Sequence, residues 1–252
     1  MKNNSLVLVI QARYNSSRLP GKIKKKLCGI STIERILQRV KKIKKLNKII
    51  IATTKRKDDN FLVNVAKKYN VEIFRGSTNN CVDRYYNAVK KLNAKHVLRL
   101  PADNPFPEPS EYNRIINYHL KSKNDFSSNI VNFMNNGYPD GIGVEIFTFK
   151  SLEKIWKSKK TKKEKEHLAT NYYYYGSGKK NKKFDFKIGT VKCPKNISRP
   201  DLVFDINTKK DYLYINKICN YFGKKKSFFT IKDLIYWHDK IYLKKDKNFK
   251  DL

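Results

Sequence analysis

Directly after the apolar run Leu6-Val7-Leu8-Val9-Ile10 the chain reads Gln-Ala-Arg-Tyr-Asn-Ser-Ser-Arg-Leu-Pro-Gly-Lys, from Gln11 to Lys22. Three cations, Arg13, Arg18 and Lys22, are set in a loop otherwise rich in small residues, Ala12, Ser16, Ser17 and Gly21. Backbone N–H groups and charged side chains in such a loop can converge on one polyanion, and the chemistry that needs this is the binding of phosphates. The spacing is neither the Walker Gly-x-x-x-x-Gly-Lys-Ser/Thr nor the Rossmann Gly-x-Gly-x-x-Gly. A basic surface loop in a lysine-rich chain is the competing reading of the same residues.

The elements that must hold this loop follow from periodicity. Leu6 to Ile10 is a strand, and Ile33, Ile36, Leu37, Val40 and Ile43 recur at helical spacing behind Ser31 or Thr32 as N-cap. Lys48 to Ala52 is a second strand, Phe61, Leu62, Val65 and Ala66 mark a helix, and Val71 to Phe74 is a third strand before a turn at Arg75-Gly76. A helix through Val82, Tyr85, Tyr86 and Val89 precedes a fourth strand, His96 to Leu100. Beyond its carboxyl end lies Pro101-Ala102-Asp103-Asn104-Pro105, where open α/β sheets place their ligands, so Asp103 is well sited for chemistry. After a helix through Ile115, Ile116 and Leu120, the residues Tyr138-Pro139-Asp140-Gly141 read as a turn and Val144 to Phe149 as a strand carrying Glu145. Helices are expected from Ser151 and over Lys162 to Tyr175, strands over Phe184 to Val191 and Leu202 to Ile206, and helices over Lys209 to Tyr221 and Ile231 to Tyr242. The prediction is a single α/β domain over residues 1–243, with a mostly parallel central sheet flanked by helices, and a basic, disordered tail over 244–252.

Composition narrows the function. The 252 residues carry a formal net charge of +34, which suggests an anionic partner. The excess is spread along the whole chain without an arginine stripe or an RNA-binding signature, so nucleic acid is the weaker reading. Cys28, Cys81, Cys193 and Cys219 are scattered without metal-ligand spacing and read as reduced thiols. The first apolar run is too short for a signal peptide or a membrane span, and the protein is expected in the cytoplasm.

Six blocks in order resemble the cytidylyltransferases of the acylneuraminate and spore coat polysaccharide type. The opening loop is similar to that family's Ala-Arg-x-x-Ser-x-Arg-x-Pro-x-Lys signature, and Val82-Asp83-Arg84-Tyr85 resembles its Asp-Arg-Tyr segment. Arg99, Asp103 and Pro105 resemble an Arg-x-x-x-Asp-x-Pro segment, and Glu145-Ile146-Phe147 with Leu152-Glu153 and Trp156 a Glu-x-Phe and Leu-Glu-x-x-Trp block. Glu166-His167-x-x-Thr170 and the late Arg199, Asp205 and Asp211 complete the series. Two positions depart from the pattern: Pro101, and Gly143 where an Asp often stands.

The resemblance implies a nucleotide-diphospho-sugar transferase fold, GT-A-like and Rossmann-like, with a small dimerisation and acceptor subregion, and a homodimer. The implied reaction joins CMP from CTP, or a nucleotide from another NTP, to a sugar acceptor of the acidic nonulosonic type for surface polysaccharide, releasing pyrophosphate. Arg13, Lys22 and Asp103 are the expected catalytic residues. Gln11, Ala12, Arg13, Ser17, Arg18, Lys22, Arg75, Asp83 and Arg99 are expected at the nucleotide, and Glu145, Glu166, His167 and Arg199 at the acceptor. Mg2+ is the expected cofactor, on Asp103 and Asp205. A glycosyltransferase using a finished nucleotide sugar shares this kind of sheet and acidic loop and is the alternative within the fold. A basic nucleic-acid-binding protein is the alternative outside it.

Overall fold

An apolar run without a polar side chain on either face needs cover on both, and in β1 (Leu6–Gln11) the run from Leu6 to Ile10 is buried. In the computed structural model, which describes residues 5–130, 133–174, 177–223, 225–226 and 228–243, this strand lies within a seven-stranded sheet. A small hairpin, β2 (Lys26–Leu27) with β3 (Ile30–Ser31), follows the loop after β1. In the main sheet β1 runs parallel to β4 (Lys48–Thr54) on one side and to β6 (His96–Pro101) on the other, and β5 (Glu72–Gly76) extends the parallel half beyond β4. Past β6 the direction changes: β7 (Phe126–Ser128) and β6 both run antiparallel to β8 (Glu145–Thr148), and β9 (Ile188–Gly189) adds a short parallel edge to β7. The order β5-β4-β1-β6-β8-β7-β9 puts β4 and β6 on opposite sides of β1. The loops leaving β1 and β6 therefore diverge at the carboxyl ends and open a crevice between them.

Alternation along β1 sends Leu6, Leu8 and Ile10 to one face and Val7 and Val9 to the other. The first face is covered by α1 (Thr32–Val40), α2 (Phe61–Lys68) and α4 (Pro109–Ser122), the second by α3 (Cys81–Val89) and α5 (Phe149–Lys157). A capping box between Ser31 and Glu34 starts α1, whose apolar residues Ile33, Ile36, Leu37 and Val40 are all buried. After α6 (Lys162–Glu166), the last helices α7 (Lys209–Gly223) and α8 (Ile231–Trp237) pack with Phe106, Tyr138 and Ile142 into a third cluster beside the first face.

Several elements differ from expectation for local reasons. Arg75 and Gly76 continue β5 instead of turning, because both pair with the end of β4. The helix expected over Lys162 to Tyr175 stops at Glu166: α6 buries no side chain, and the chain leaves helical geometry at His167 (φ −113°, ψ 87°) before a tight 3-10 turn over Leu168–Asn171 buries Leu168 and Ala169. Tyr172 and Tyr173 are buried and Tyr174 is half-exposed, while Tyr175 lies outside the described residues. Phe184 to Val191 contributes only Ile188 and Gly189 to the sheet. Leu202 to Ile206 has a strand's alternation, with Leu202, Phe204 and Ile206 buried, yet its partner is a loop: it makes one parallel bridge, Val203 to Asp140. Pro101 fits the end of β6 because β8 stops pairing at Arg99, so the missing N–H deprives no neighbouring strand. The expected tail, 244–252, also lies outside the described residues. Among the described residues no helix is long and apolar enough to cross a membrane.

Candidate active site

The crevice at the carboxyl ends of β1 and β6 is a cavity of about 510 Å³. From the loop after β1 it takes Arg13, Ser16, Ser17, Arg18 and Lys22, and from β6 and the loop beyond it Arg99 and Asp103. Glu145 enters from β8, Glu166 and His167 from the end of α6, and Asp205 with Asn207 from the segment before α7. Of the residues singled out from the sequence, Gln11, Arg13, Ser17, Arg18, Lys22, Arg99, Asp103, Glu145, Glu166, His167 and Asp205 thus line one cavity.

Each cation of the β1 loop reaches a different wall. The Lys22 ammonium, almost buried, donates to Asp103 Oδ2 at 2.8 Å and to the carbonyl of Ile206 at 2.8 Å, tying the loop to both acidic segments. Arg18 donates to Asn207 Oδ1 at 2.5 Å, and Arg13 faces Glu166 across the cleft at 3.5 Å. Arg99 and Glu145 form a buried ion pair in the floor, and the Tyr173 hydroxyl donates to the other Glu145 oxygen at 3.1 Å.

Opposite the cations, three carboxyls crowd together. Burial, with repulsion from Asp140 and Asp103, pushes the Asp205 carboxyl up to about 7, and burial and Asp103 also raise Asp140 against the opposing Gly141 N–H. Asp205 Oδ2 accepts from Asn207, whereas its Oδ1 is buried without a hydrogen-bond partner. The Lys22 ammonium sits on Asp103, so the cluster is short of positive charge on the Asp205 side. Among the described residues no three His, Cys, Asp or Glu side chains are grouped closely enough to enclose a metal.

Four expected residues lie off the cavity lining. Ala12 is buried in the core, its N–H bound to the carbonyl of Ala52 at 3.2 Å. Arg75 donates to the carbonyls of Thr54 and Arg56 at 3.0 and 2.8 Å. Asp83, in the first turn of α3, accepts from the Trp156 indole at 3.0 Å and from Asn87 at 2.9 Å. Arg199 is held on the surface by Asp201 and Asp239, at 2.7 and 2.6 Å, so the cation expected for an acceptor carboxylate is committed elsewhere. Asp211 caps α7, accepting from the N–H of Thr208 at 2.7 Å.

The lining residues that sequence reasoning passed over are chiefly Asp140 and Asn207. A Pro-Asp-Gly triplet is ordinary turn composition, which masked Asp140. Its backbone pairing with Leu202 and Phe204 is what brings the two acidic segments together. Gly141 there has φ +83° and lies against the backbone of Phe204 and Asp205, where an added Cβ would come within 2.5 Å. Gly143, where an acid was expected, leaves no space for one: a Cβ would stand 2.4 Å from the Asn129 carbonyl oxygen.

A family model described as cytidylyltransferase matches residues 7–247. The chain belongs to the cytidylyltransferase family. It is 36% identical over 213 residues to an uncharacterized protein of Methanocaldococcus jannaschii, covering 83% of this chain and 82% of that one. The spore coat polysaccharide biosynthesis protein SpsF of Bacillus subtilis is 25% identical over 226 residues, covering 88% and 89%. A solved cytidylyltransferase of Leptospira borgpetersenii superposes with a TM-score of 0.81 at 26% identity, covering 97% of this chain and 95% of that one. As a member of the cytidylyltransferase family the protein is a nucleotidyltransferase, and its sheet is that of the Rossmann-like nucleotidyltransferases.

Proposed function

We propose that the protein transfers CMP from CTP to a hydroxyl of a sugar, with release of pyrophosphate, and that the product is an activated sugar for surface polysaccharide. The observation that carries this reading is the meeting of Arg13, Arg18 and Lys22 with Asp103 and Asp205 across one cleft of a cytidylyltransferase-family chain. In the proposed reaction the sugar hydroxyl oxygen attacks the α-phosphorus and gives up its proton to solvent, while the bond from the α-phosphorus to the oxygen it shares with the β-phosphorus breaks and pyrophosphate leaves with that oxygen. Negative charge grows on the phosphoryl oxygens and on the leaving group, and groups fixed in place beforehand stabilise it most. Arg13, Arg18 and Lys22 are the cations available for that charge.

Asp103 and Asp205 would hold Mg2+, an ion that takes one or two protein carboxylates and completes its shell with water and substrate phosphate. The fit rests on the orphaned Asp205 Oδ1 and on the mutual repulsion of Asp205, Asp140 and Asp103. Bound there, the ion would neutralise charge on the triphosphate.

The acceptor would lie over Glu166 and His167, above the ion pair of Arg99 and Glu145. With Arg199 bound on the surface and Arg99 paired with Glu145, an acidic group on the acceptor would meet Arg13 instead. The role of SpsF in spore coat polysaccharide biosynthesis supports a sugar as acceptor. The test is a pyrophosphate-release assay with Mg2+, each nucleoside triphosphate in turn and a panel of acidic and neutral sugars. Release is expected with CTP and at least one acidic sugar, and no release with any combination overturns the proposal.

A further inference from the structure

Asp59 lies outside the cleft, in the turn between β4 and α2, and is 1% exposed. A carboxylate taken out of water needs strong compensation, and the hydrogen bonds that Asp59 accepts come from neutral donors at two places in the chain. Asp59 Oδ2 accepts from the hydroxyl and the N–H of Thr54, the latter at 3.3 Å, within its own turn. Oδ1 accepts from the backbone N–H of Tyr14 at 2.6 Å, forty-five residues away in the middle of the cation loop.

Tyr14 is the hub of that loop. Its carbonyl receives the N–H of Ser16 at 3.0 Å and of Gly21 at 2.8 Å, closing the loop on itself. Gly21 turns at φ +70° against the Tyr14 ring, where an added Cβ would come within 3.1 Å, and so opens the short helical turn that begins at Lys22. The Tyr14 ring in turn meets Phe61 of α2 edge-on, with centroids 6.5 Å apart. Arg13 adjoins the tethered residue, and Arg18 lies between the two ends of the Gly21-to-Tyr14 bond.

We propose that Asp59 is a positioning residue for nucleotidyl transfer: its bond to Tyr14 N–H sets where Arg13, Arg18 and Lys22 stand, without itself touching substrate. The inference deepens the cytidylyl-transfer reading and rests on it for its kinetic part. Charged groups act on a transition state only when already in place, and a misplacement of about 1 Å can cost about a hundredfold in rate.

The experiment combines hydrogen exchange of the full chain with steady-state kinetics for D59L, D59A, D59N and T54V. D59L fills the same space without an acceptor and leaves the N–H groups of Tyr14 and Thr54 unpaired, so unchanged exchange in β1 and β6 is the check that the rest of the fold survives. The expectation for D59L and D59A is faster exchange of the Ser16 and Gly21 amides, by about tenfold or more, with β1 and β6 unchanged. Their kcat with CTP should fall by about a hundredfold, with the acceptor KM within about twofold. D59N keeps an oxygen for Tyr14 N–H and should recover at least about tenfold of the lost kcat. T54V removes the hydroxyl that donates to Oδ2 of the same carboxylate, leaving the residue-54 N–H, and should leave loop exchange and kcat within about threefold of the parent, because the Tyr14 bond survives. Wild-type exchange in the loop of D59L, or equal effects of T54V and D59L on exchange and kcat, would overturn the proposal. If the parent protein releases no pyrophosphate from CTP with any acceptor, the cytidylyl-transfer reading fails. Exchange alone then decides whether Asp59 holds the loop.

Discussion

Replacing Asp205 by Asn should make the ligand-free protein more stable at pH 8. A carboxyl moved from 3.8 to about 7 by burial and by Asp140 and Asp103 carries on the order of 4 kcal/mol of unfavourable free energy once ionised. Because the neighbouring acids titrate together and water relaxes around them, about half of that, near 2 kcal/mol, is the expected gain. For a chain of this length it corresponds to a rise of about 4–8 °C in Tm. The sign follows from where the proton sits. Below about pH 4 Asp205 is protonated folded and unfolded, and the variant has no advantage. Between about pH 4 and 7 only the folded protein keeps that proton, so wild-type stability falls with rising pH through this window while the Asn variant escapes the fall. Thermal unfolding of both proteins from pH 4 to 8, with divalent cations chelated, measures the gap. Adding Mg2+ with CTP should then stabilise wild type and not D205N. A variant no more stable than wild type at pH 8, or a gap unchanged between pH 4 and 8, would refute the electrostatic reading of the cleft.

Truncating Arg13 or Lys22 to Ala should remove about 2–4 kcal/mol of transition-state stabilisation, about 30-fold to 1,000-fold in turnover with CTP, and unchanged turnover in both variants would remove the cation clamp from the mechanism. Arg199→Ala should leave kcat/KM with CTP and the acceptor within about twofold and cost at most about 1 kcal/mol of stability, as exposed ion pairs do; a large rise in acceptor KM would return Arg199 to the site. Gly143→Ala drives a methyl group into the Asn129 carbonyl and should cost about 1–3 kcal/mol in denaturant unfolding, whereas a neutral result would mean that β8 can shift away from residue 129.

The sequence by itself determined the alternation of strands and helices, because that alternation is local. Unbroken apolar runs such as Leu6 to Ile10 demand a strand covered on both faces, and repeats such as Ile33, Ile36, Leu37 and Val40 demand a helix with one buried stripe. It also determined that the β1 loop and Asp103 lie at the sheet's carboxyl edge, since position directly after a strand suffices to put them there. Only the tertiary structure decided which charges meet. Lys22 reaches Asp103 and the Ile206 carbonyl across 81 and 184 residues of chain, and Asp140 joins the acids through backbone bonds to Leu202 and Phe204. No periodicity records such pairings. The same cause placed Arg199 and Asp83 off the cleft: each had the right type and order, yet a nearer partner, Asp239 for the one and the Trp156 indole for the other, took the side chain first. The irregular segment Leu202 to Ile206 shows the limit from the backbone side. Its alternation is that of a strand, and what decides that it carries Asp205 toward Asp103 instead of joining the sheet is that its neighbour in space is the Asp140 loop, whose short edge offers one bridge and no ladder.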